Sequence, residues 1–75
     1  MDDQLILKNR LKVARAEKNL SQGDLAKLVG VSRQTISSLE NGRYNPSVIL
    51  AIKLARYFGM HVEDIFIYEE GQDEK

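Results

Sequence analysis

The segment from residue 33 to residue 41 carries polar side chains whose hydrogen-bonding groups suit the edges of DNA bases. Ile36 and Leu39 recur at helical spacing and predict a buried face. The opposite face carries no carboxylate that phosphates would repel, and it presents Arg33, Gln34, Ser37 and Ser38. Arginine can donate two hydrogen bonds to guanine, glutamine pairs with adenine in a similar way, and serine reaches bases or phosphates. The same pattern also fits an ordinary polar helix surface, although such surfaces usually carry glutamate and lysine.

Residues for other kinds of chemistry are scarce in this chain. It contains no cysteine and a single histidine, His61, which excludes a disulfide and a zinc site. Nucleophile–base pairs, paired carboxylates in a cleft and a glycine-rich phosphate loop are missing, and Gly42-Arg43 predicts a loop rather than a phosphate cradle. We therefore expect neither an enzyme nor a cofactor or small-molecule site. Although His61 cannot form a zinc site alone, it could instead act as a pH sensor, because histidine changes its charge near neutral pH.

Capping and helix-breaking residues divide the chain into short helices. Helix starts are predicted at three serines, namely Ser21 (with Asp24 three residues later), Ser32 and Ser47. Helix ends are predicted at Gly30, Asn41-Gly42 and Gly59, and Pro46 excludes helix at Asn45. Together these signals predict five helices over residues 9–18, 22–29, 33–41, 48–58 and 62–65.

Apolar residues within the predicted helices recur at the spacing of buried faces. Those of the first three helices are Leu11, Ala14, Leu25, Ala26, Val29, Ile36 and Leu39. The fourth helix is the most apolar, with Ile49, Leu50, Ile52, Leu54, Ala55 and Phe58. Two β-favouring runs, Leu5-Ile6-Leu7 and residues 66–68, are expected to pair as a two-stranded antiparallel ribbon, with frayed coil as the alternative. Residues 1–69 are thus predicted to form one domain, followed by a disordered acidic tail over residues 70–75.

The charges are unevenly distributed, although the whole chain has a formal net charge of zero. Residues 4–68 hold ten basic and five acidic side chains, a net charge of +5, and the other acids lie near the two ends. A basic body is compatible with a duplex DNA partner, and it is also common in small soluble domains without one. No apolar run approaches the roughly 20 residues of a membrane span, and the acidic start is unlike a secretory signal. We therefore expect a cytoplasmic protein with no membrane partner.

Three segments together resemble the Cro/phage-repressor (XRE) helix-turn-helix family. They are Ser21-Gln22-Gly23-Asp24-Leu25-Ala26, the segment from Gly30 to Ser37, and the segment from Leu39 to Ser47. The similarity covers residues 9 to about 66. It implies a mainly α, five-helix, lambda-repressor-like DNA-binding domain in which helices 2 and 3 form the helix-turn-helix. Two residues depart from the family pattern: Gly23 stands where helix formers are usual, and His61 stands where Ser or Thr usually caps helix 5.

The resemblance implies roles for individual residues. The base-reading positions fall on Arg33, Gln34, Ser37 and Ser38, with specificity expected mainly from Arg33 and Gln34. Contacts with DNA phosphates are implied for Gln22, Thr35, Asn41, Arg43, Tyr44 and Asn45. Arg15 and Glu40 match a pair that usually forms a structural salt bridge. Without the resemblance, Arg15 would also suit a phosphate contact and Glu40 a catalytic acid.

A homodimer is expected from the resemblance and from the geometry of DNA. One helix-turn-helix unit contacts only a few base pairs, whereas a dimer binds two half-sites about 34 Å apart. The predicted dimer interface is Ile65, Phe66, Ile67 and Tyr68, and the alternative is that this ribbon only closes the core. The expected function is a sequence-specific regulator, most simply a repressor on a palindromic operator in double-stranded DNA. The other function class is an antitoxin-like or partner-binding module on the same fold.

Overall fold

The computed structural model describes residues 7–68, and this range contains five helices and a two-stranded sheet. In chain order the elements are β1 (Leu7–Asn9), α1 (Leu11–Glu17), α2 (Gln22–Val29), α3 (Arg33–Glu40), α4 (Val48–Phe58), α5 (Val62–Ile65) and β2 (Phe66–Tyr68). The predicted fold class, mainly α with a small antiparallel ribbon, is confirmed. The predicted bounds of α2, α4 and α5 are those observed. No helix in the described range is long and apolar enough to cross a membrane.

The first and third helices are shorter than predicted. Helix α1 begins at Leu11 instead of Asn9, because Asn9 belongs to the ribbon and pairs with Phe66. The Asn9 side chain accepts a hydrogen bond from the Leu11 N–H at 3.1 Å and donates one to the Leu39 carbonyl at 2.8 Å. Asn9 thereby ends the strand, starts the helix and holds both against the end of α3. At the other boundary, Asn41 is the C-cap of α3 and not its last helical residue.

Serine side chains begin three of the helices as predicted. Ser21, Ser32 and Ser47 accept hydrogen bonds from the backbone N–H three residues later, at 2.9, 3.1 and 3.1 Å. Each bond satisfies one of the N–H groups that a helix start leaves without a partner. Gly30 and Gly59 end α2 and α4 in the left-handed conformation, with φ of 79° and 67°. Contacts within a few residues therefore determine where these helices begin and where α2 and α4 end.

The capping box of α2 links the stability of the protein to pH. The Ser21 backbone N–H donates to Asp24 Oδ2 at 3.1 Å, and the Asp24 N–H donates to Ser21 Oγ. Hydrogen bonding with Ser21, chiefly from its backbone N–H, holds the pKa of Asp24 below its ordinary value. A lowered pKa in the folded state stabilises the fold above the ordinary aspartate pKa of about 3.9. This contribution is lost as the pH falls through the lowered value.

Replacing Asp24 with asparagine is therefore expected to lower the melting temperature near neutral pH, because the charged acceptor at the helix start is lost. The difference from wild type should narrow as the pH is lowered toward about 2, since the wild-type carboxylate is then protonated. Thermal unfolding followed by circular dichroism across this pH range measures the difference in melting temperature. Glu17→Gln is the control, because Glu17 is an exposed glutamate on α1. A difference in melting temperature that is constant across the range would contradict the assignment.

The core lies between the helices and is closed by the ribbon. The largest fully buried side chains are Leu11, Leu25, Ile36, Leu39, Leu54 and Ile65. Every apolar residue predicted to face inward from the first three helices is buried. Helix α4 is different, because only Leu50, Ala51, Leu54 and Ala55 of that helix are buried. Ile49 and Ile52 lie on its other side and are exposed, because a surface helix packs only one of its faces against the core.

Two short strands near the ends of the described range pair as an antiparallel ribbon, as predicted. Leu7 pairs with Tyr68, Lys8 with Ile67 and Asn9 with Phe66. The predicted first strand was residues 5–7, of which Leu5 and Ile6 lie outside the described residues. The Arg10 N–H also donates to the Ile65 carbonyl at 2.8 Å, which ties the start of α1 to the end of α5. The proposed domain end at residue 69 and the acidic tail also lie outside the described residues.

Candidate nucleic-acid interface

Helices α2 and α3 form a compact unit joined by the turn from Gly30 to Ser32. The N–H groups of Gly30 and Val31 both donate to the Ala26 carbonyl, at 2.9 and 3.0 Å, so the turn closes directly on α2. Ser32 then caps α3. The two helices bury Leu25, Ala26, Val29, Ile36 and Leu39 in one core cluster. This packing fixes one face of α3 inward and leaves its polar face at the surface.

The polar face of α3 carries the predicted base-reading residues. Arg33 and Gln34 are exposed in the first turn, and Ser37 and Ser38 are half-buried one turn later. No acidic residue occurs in α3 before Glu40, which is turned toward the interior. The structure therefore brings two long donor-bearing side chains and two short hydroxyls together on a surface without carboxylates. Such a surface can approach a polyanion closely.

An open cleft lies between α3 and the loop that follows it. It has a volume of about 400 Å³ and is lined by Ser32, Gln34, Thr35, Ser38 and Tyr44. All five side chains carry hydroxyl or amide groups and none is charged. The Ser32 and Thr35 hydroxyls lie 3.0 Å apart and share a hydrogen bond. Neutral donors of this kind are common ligands of phosphate and sugar oxygens.

The loop after α3 carries the other predicted phosphate contacts. Asn41, Arg43, Tyr44 and Asn45 are all exposed. The loop is held against α3 because the Arg43 N–H donates to the Ser38 carbonyl at 3.0 Å and the Gly42 N–H donates to the Leu39 carbonyl. Gly42 has a φ of 71°, in the left-handed region that favours glycine. The loop side chains thus flank the polar face of α3 across the cleft.

A part-buried ion pair lies behind this surface. Arg15 Nε donates to Glu40 Oε2 at 2.8 Å, with side-chain exposures of only 15% and 4%. Arg15 also donates to Glu40 Oε1 at 3.3 Å and to the Leu20 carbonyl at 2.8 Å. The hydrogen bond to Glu40 raises the pKa of Arg15 despite its desolvation. The predicted structural salt bridge is therefore present, and it joins α1 to the end of α3 and to the turn before α2.

Gln22 belongs to the same network, which the sequence pattern did not reveal. Its side-chain Nε2 donates to Glu40 Oε1 at 3.0 Å, and the side chain is half-buried at the first position of α2. One amide hydrogen is therefore held by Glu40, and the other is left for a further acceptor. The two residues are 18 positions apart, so no local spacing could have indicated the bond.

Comparison with known proteins establishes the family. A model of the helix-turn-helix family HTH_3 matches residues 11–65. The chain belongs to this helix-turn-helix family. It is a transcriptional regulator with a helix-turn-helix DNA-binding domain, and not an enzyme. Among the residues described in this regulator, no group of three or more metal-ligating side chains comes together.

Several known proteins are similar to this helix-turn-helix regulator over most of the chain. A protein of Methanocaldococcus jannaschii, named as an uncharacterized HTH-type transcriptional regulator, is 58% identical over 66 residues, which is 88% of this chain and 100% of the relative. A protein of Archaeoglobus fulgidus with the same kind of name is 53% identical over 85% of this chain and 90% of its own. The crystal structure of the restriction-modification controller protein C.AhdI from Aeromonas hydrophila has a TM-score of 0.67 and 34% identity, over 73% of this chain and 83% of its own.

Two positions that depart from the family pattern have different structural contexts. At Gly23 of the regulator, an added Cβ would lie 4.0 Å from Arg33 Cδ and 3.8 Å from Ser21 Oγ, which is ordinary contact. The Arg33 side chain therefore lies near Gly23 in the first turn of α2. At His61, the backbone N–H donates to Asp64 Oδ2 at 3.2 Å, so Asp64 supplies part of the cap at α5.

The residues predicted as the dimer interface of the regulator do not share one environment. Ile65 and Phe66 are buried in the core of the protomer. Ile67 and Tyr68 are exposed, with 37% and 54% of their surface accessible. Only these last two, in β2, are available in the described structure for contact with another molecule.

Proposed function

We propose that the regulator is a repressor that binds a palindromic operator as a dimer, with α3 in the major groove of each half-site. The observation that carries this proposal is the polar face of α3, where Arg33, Gln34, Ser37 and Ser38 stand together without a carboxylate. A helix presented by a helix-turn-helix unit enters the major groove with its N-terminal residues toward the bases. Arg33 and Gln34 occupy that end of α3.

In this proposal the two first-turn side chains read the sequence. Arg33 donates to guanine O6 and N7, and Gln34 pairs with the N6 and N7 edge of adenine. Ser37 and Ser38 lie one turn deeper along the helix, where their short side chains allow the backbone of α3 to lie close to the groove. Base contacts of this kind determine which operator is bound.

The phosphate contacts fall on both sides of α3 and fix its orientation. Gln22 approaches one strand with the amide hydrogen that Glu40 leaves free. Thr35 and Tyr44 contact the other strand through the hydroxyl-lined cleft, and the loop adds Asn41, Arg43 and Asn45. Contacts with phosphates position the protein without reading sequence, and they make its affinity depend on salt.

Repression follows from occupancy, because a dimer on the operator excludes polymerase from the same stretch of DNA. Binding to DNA also implies that the protein works in the cytoplasm. Two protomers bound on one face of the duplex read half-sites one helical turn apart, and this doubles the number of base pairs that specify the site.

Selection of binding sites from a random duplex library, repeated at two salt concentrations, tests the proposal. We expect an enriched palindrome with half-site centres about 10 bp apart and an affinity that falls steeply with salt. Weak binding that ignores sequence at both salt concentrations would refute sequence-specific regulation and would favour a protein partner as the main target. An enriched site without two-fold symmetry would refute the dimeric arrangement alone.

A further inference from the structure

The carboxylate of Glu40 is shared between partners from two other helices. Its Oε2 accepts a hydrogen bond from Arg15 Nε at 2.8 Å, and its Oε1 accepts one from Arg15 Nη2 at 3.3 Å and one from Gln22 Nε2 at 3.0 Å. Only 4% of the Glu40 side chain is accessible, so water competes little for these oxygens. Glu40 therefore holds a side chain at the start of α2 as well as the guanidinium of α1.

The bond to Glu40 restricts the amide of Gln22. A glutamine amide can turn over, so that either its oxygen or its NH2 group faces a given neighbour. Because a carboxylate only accepts hydrogen bonds, the NH2 group of Gln22 must be the part that faces Glu40. Hydrogen bonds to a charged acceptor are also stronger than those between neutral groups. The carboxylate thereby selects one orientation of the amide before any ligand arrives, and the second N–H of Gln22 is held in one place.

Arg15 makes a carboxylate acceptable at this position. An unpaired carboxylate close to the start of α2 would repel a phosphate group. The guanidinium of Arg15 donates to both oxygens of Glu40, so the pair has no net charge. Glu40 can therefore serve as the acceptor for Gln22 without adding a net negative charge near the surface where we propose phosphate contacts.

We propose that Glu40 is a positioning residue for DNA binding, which acts by fixing the amide of Gln22 for its contact with a phosphate. This inference rests on the proposed function, because the phosphate contact of Gln22 belongs to that proposal. It goes beyond a structural role of the Arg15–Glu40 pair, since Glu40 then contributes to affinity in a domain that is already folded. A side chain that is ordered before binding loses less conformational freedom on binding, and this raises affinity without a new contact.

Exchanging Glu40 for glutamine separates this role from electrostatics. An amide at position 40 can present either an oxygen or an NH2 group to Gln22, so it no longer selects one orientation. The substitution also removes a negative charge, which by itself should tighten binding to DNA. Positioning and charge therefore predict effects of opposite sign. Glu17→Gln, at an exposed position of α1, removes the same charge and measures the electrostatic effect alone.

A double-mutant cycle on the full chain measures the coupling between Glu40 and Gln22. The selected operator is titrated with wild type, Glu40→Gln, Gln22→Ala and the double variant, at a temperature at which circular dichroism shows each to be folded. Gln22→Ala should raise the dissociation constant about tenfold, because a bond to a charged phosphate is lost. Glu40→Gln should raise it about fivefold in the wild-type background. In the Gln22→Ala background it should leave the constant unchanged or lower it, as Glu17→Gln does.

The mobility of the Gln22 amide in the wild-type protein is a second test that needs neither a substitution nor DNA. By NMR, the side-chain NH2 group of Gln22 should have a higher order parameter than that of Gln34, which is exposed on α3. A Gln22 amide as mobile as that of Gln34 would overturn the inference.

The outcomes of the cycle separate the inference from the proposed function. An equal loss of affinity from Glu40→Gln in both backgrounds would overturn the inference, because Glu40 would then act without Gln22. Tighter binding by Glu40→Gln would overturn it as well. In both cases a wild type that selects a specific site leaves the regulator intact. A wild type that selects no site would refute the proposed function itself, and the positioning role would fall with it.

Discussion

Replacing Arg33 with alanine is expected to raise the dissociation constant for the selected operator by at least about tenfold. A bidentate contact with guanine accounts for about 1–3 kcal/mol, and a dimer loses it in both half-sites. The substitution should also relax the preference at one base position of each half-site. Binding of the operator and of operator variants at that position, measured by fluorescence anisotropy, provides the test. The melting temperature should stay close to that of wild type, because Arg33 is exposed.

Arg43→Ala is the matched control, because it removes the same charge from the loop after α3, where we propose phosphate contacts. A lost phosphate contact weakens binding to all sequences alike. It also reduces the slope of log affinity against log salt concentration by about one for each protomer. The two variants should therefore differ in pattern even where their losses of affinity are similar. Uniform weakening by Arg33→Ala, with the base preference unchanged, would show that Arg33 contacts the backbone and that the bases are read elsewhere on α3.

Replacing Glu40 with alanine should remove a large part of the stability of the domain. The substitution leaves Arg15, only 15% exposed, without its carboxylate partner and deprives Gln22 of its acceptor. Breaking a buried pair from one side costs about 3–5 kcal/mol, and the residual exposure of Arg15 favours the lower end. A domain of this size should then lose at least about 10 °C in melting temperature. Urea and thermal unfolding followed by circular dichroism measure both quantities.

Glu17→Ala serves as the control for this change, because Glu17 is an exposed glutamate on α1 and should alter the melting temperature by no more than a few degrees. Glu40→Gln keeps the shape of the side chain and an acceptor oxygen. Its melting temperature should therefore lie between those of Glu17→Ala and Glu40→Ala. Unchanged stability of Glu40→Ala together with lost DNA binding would contradict the structural role and would place Glu40 in the DNA interface instead.

Local chemistry accounts for the parts of the fold that agree with the sequence prediction. The bounds of α2 and α4 depend on a serine that accepts an N–H three residues later and on a glycine that adopts a positive φ, and both signals act within a few residues. The polar face of α3 follows in the same way, because Ile36 and Leu39 face the core and leave Arg33 and Gln34 on the other side. Its composition indicated a DNA partner, and the family comparison supports that class of partner.

Contacts between distant residues decided the remaining features. Asn9 pairs with Phe66 in the ribbon and its side chain bonds to Leu39, 30 positions away. The Gln22 side chain is held by Glu40, 18 positions away. The apolar pattern of α4 fits more than one buried stripe. Only its packing against the other helices shows that Leu50 and Leu54 enter the core while Ile49 stays exposed. Periodicity within a helix indicates which residues share a face. Which apolar face is covered depends on the neighbouring elements, and only the tertiary structure shows where those elements lie.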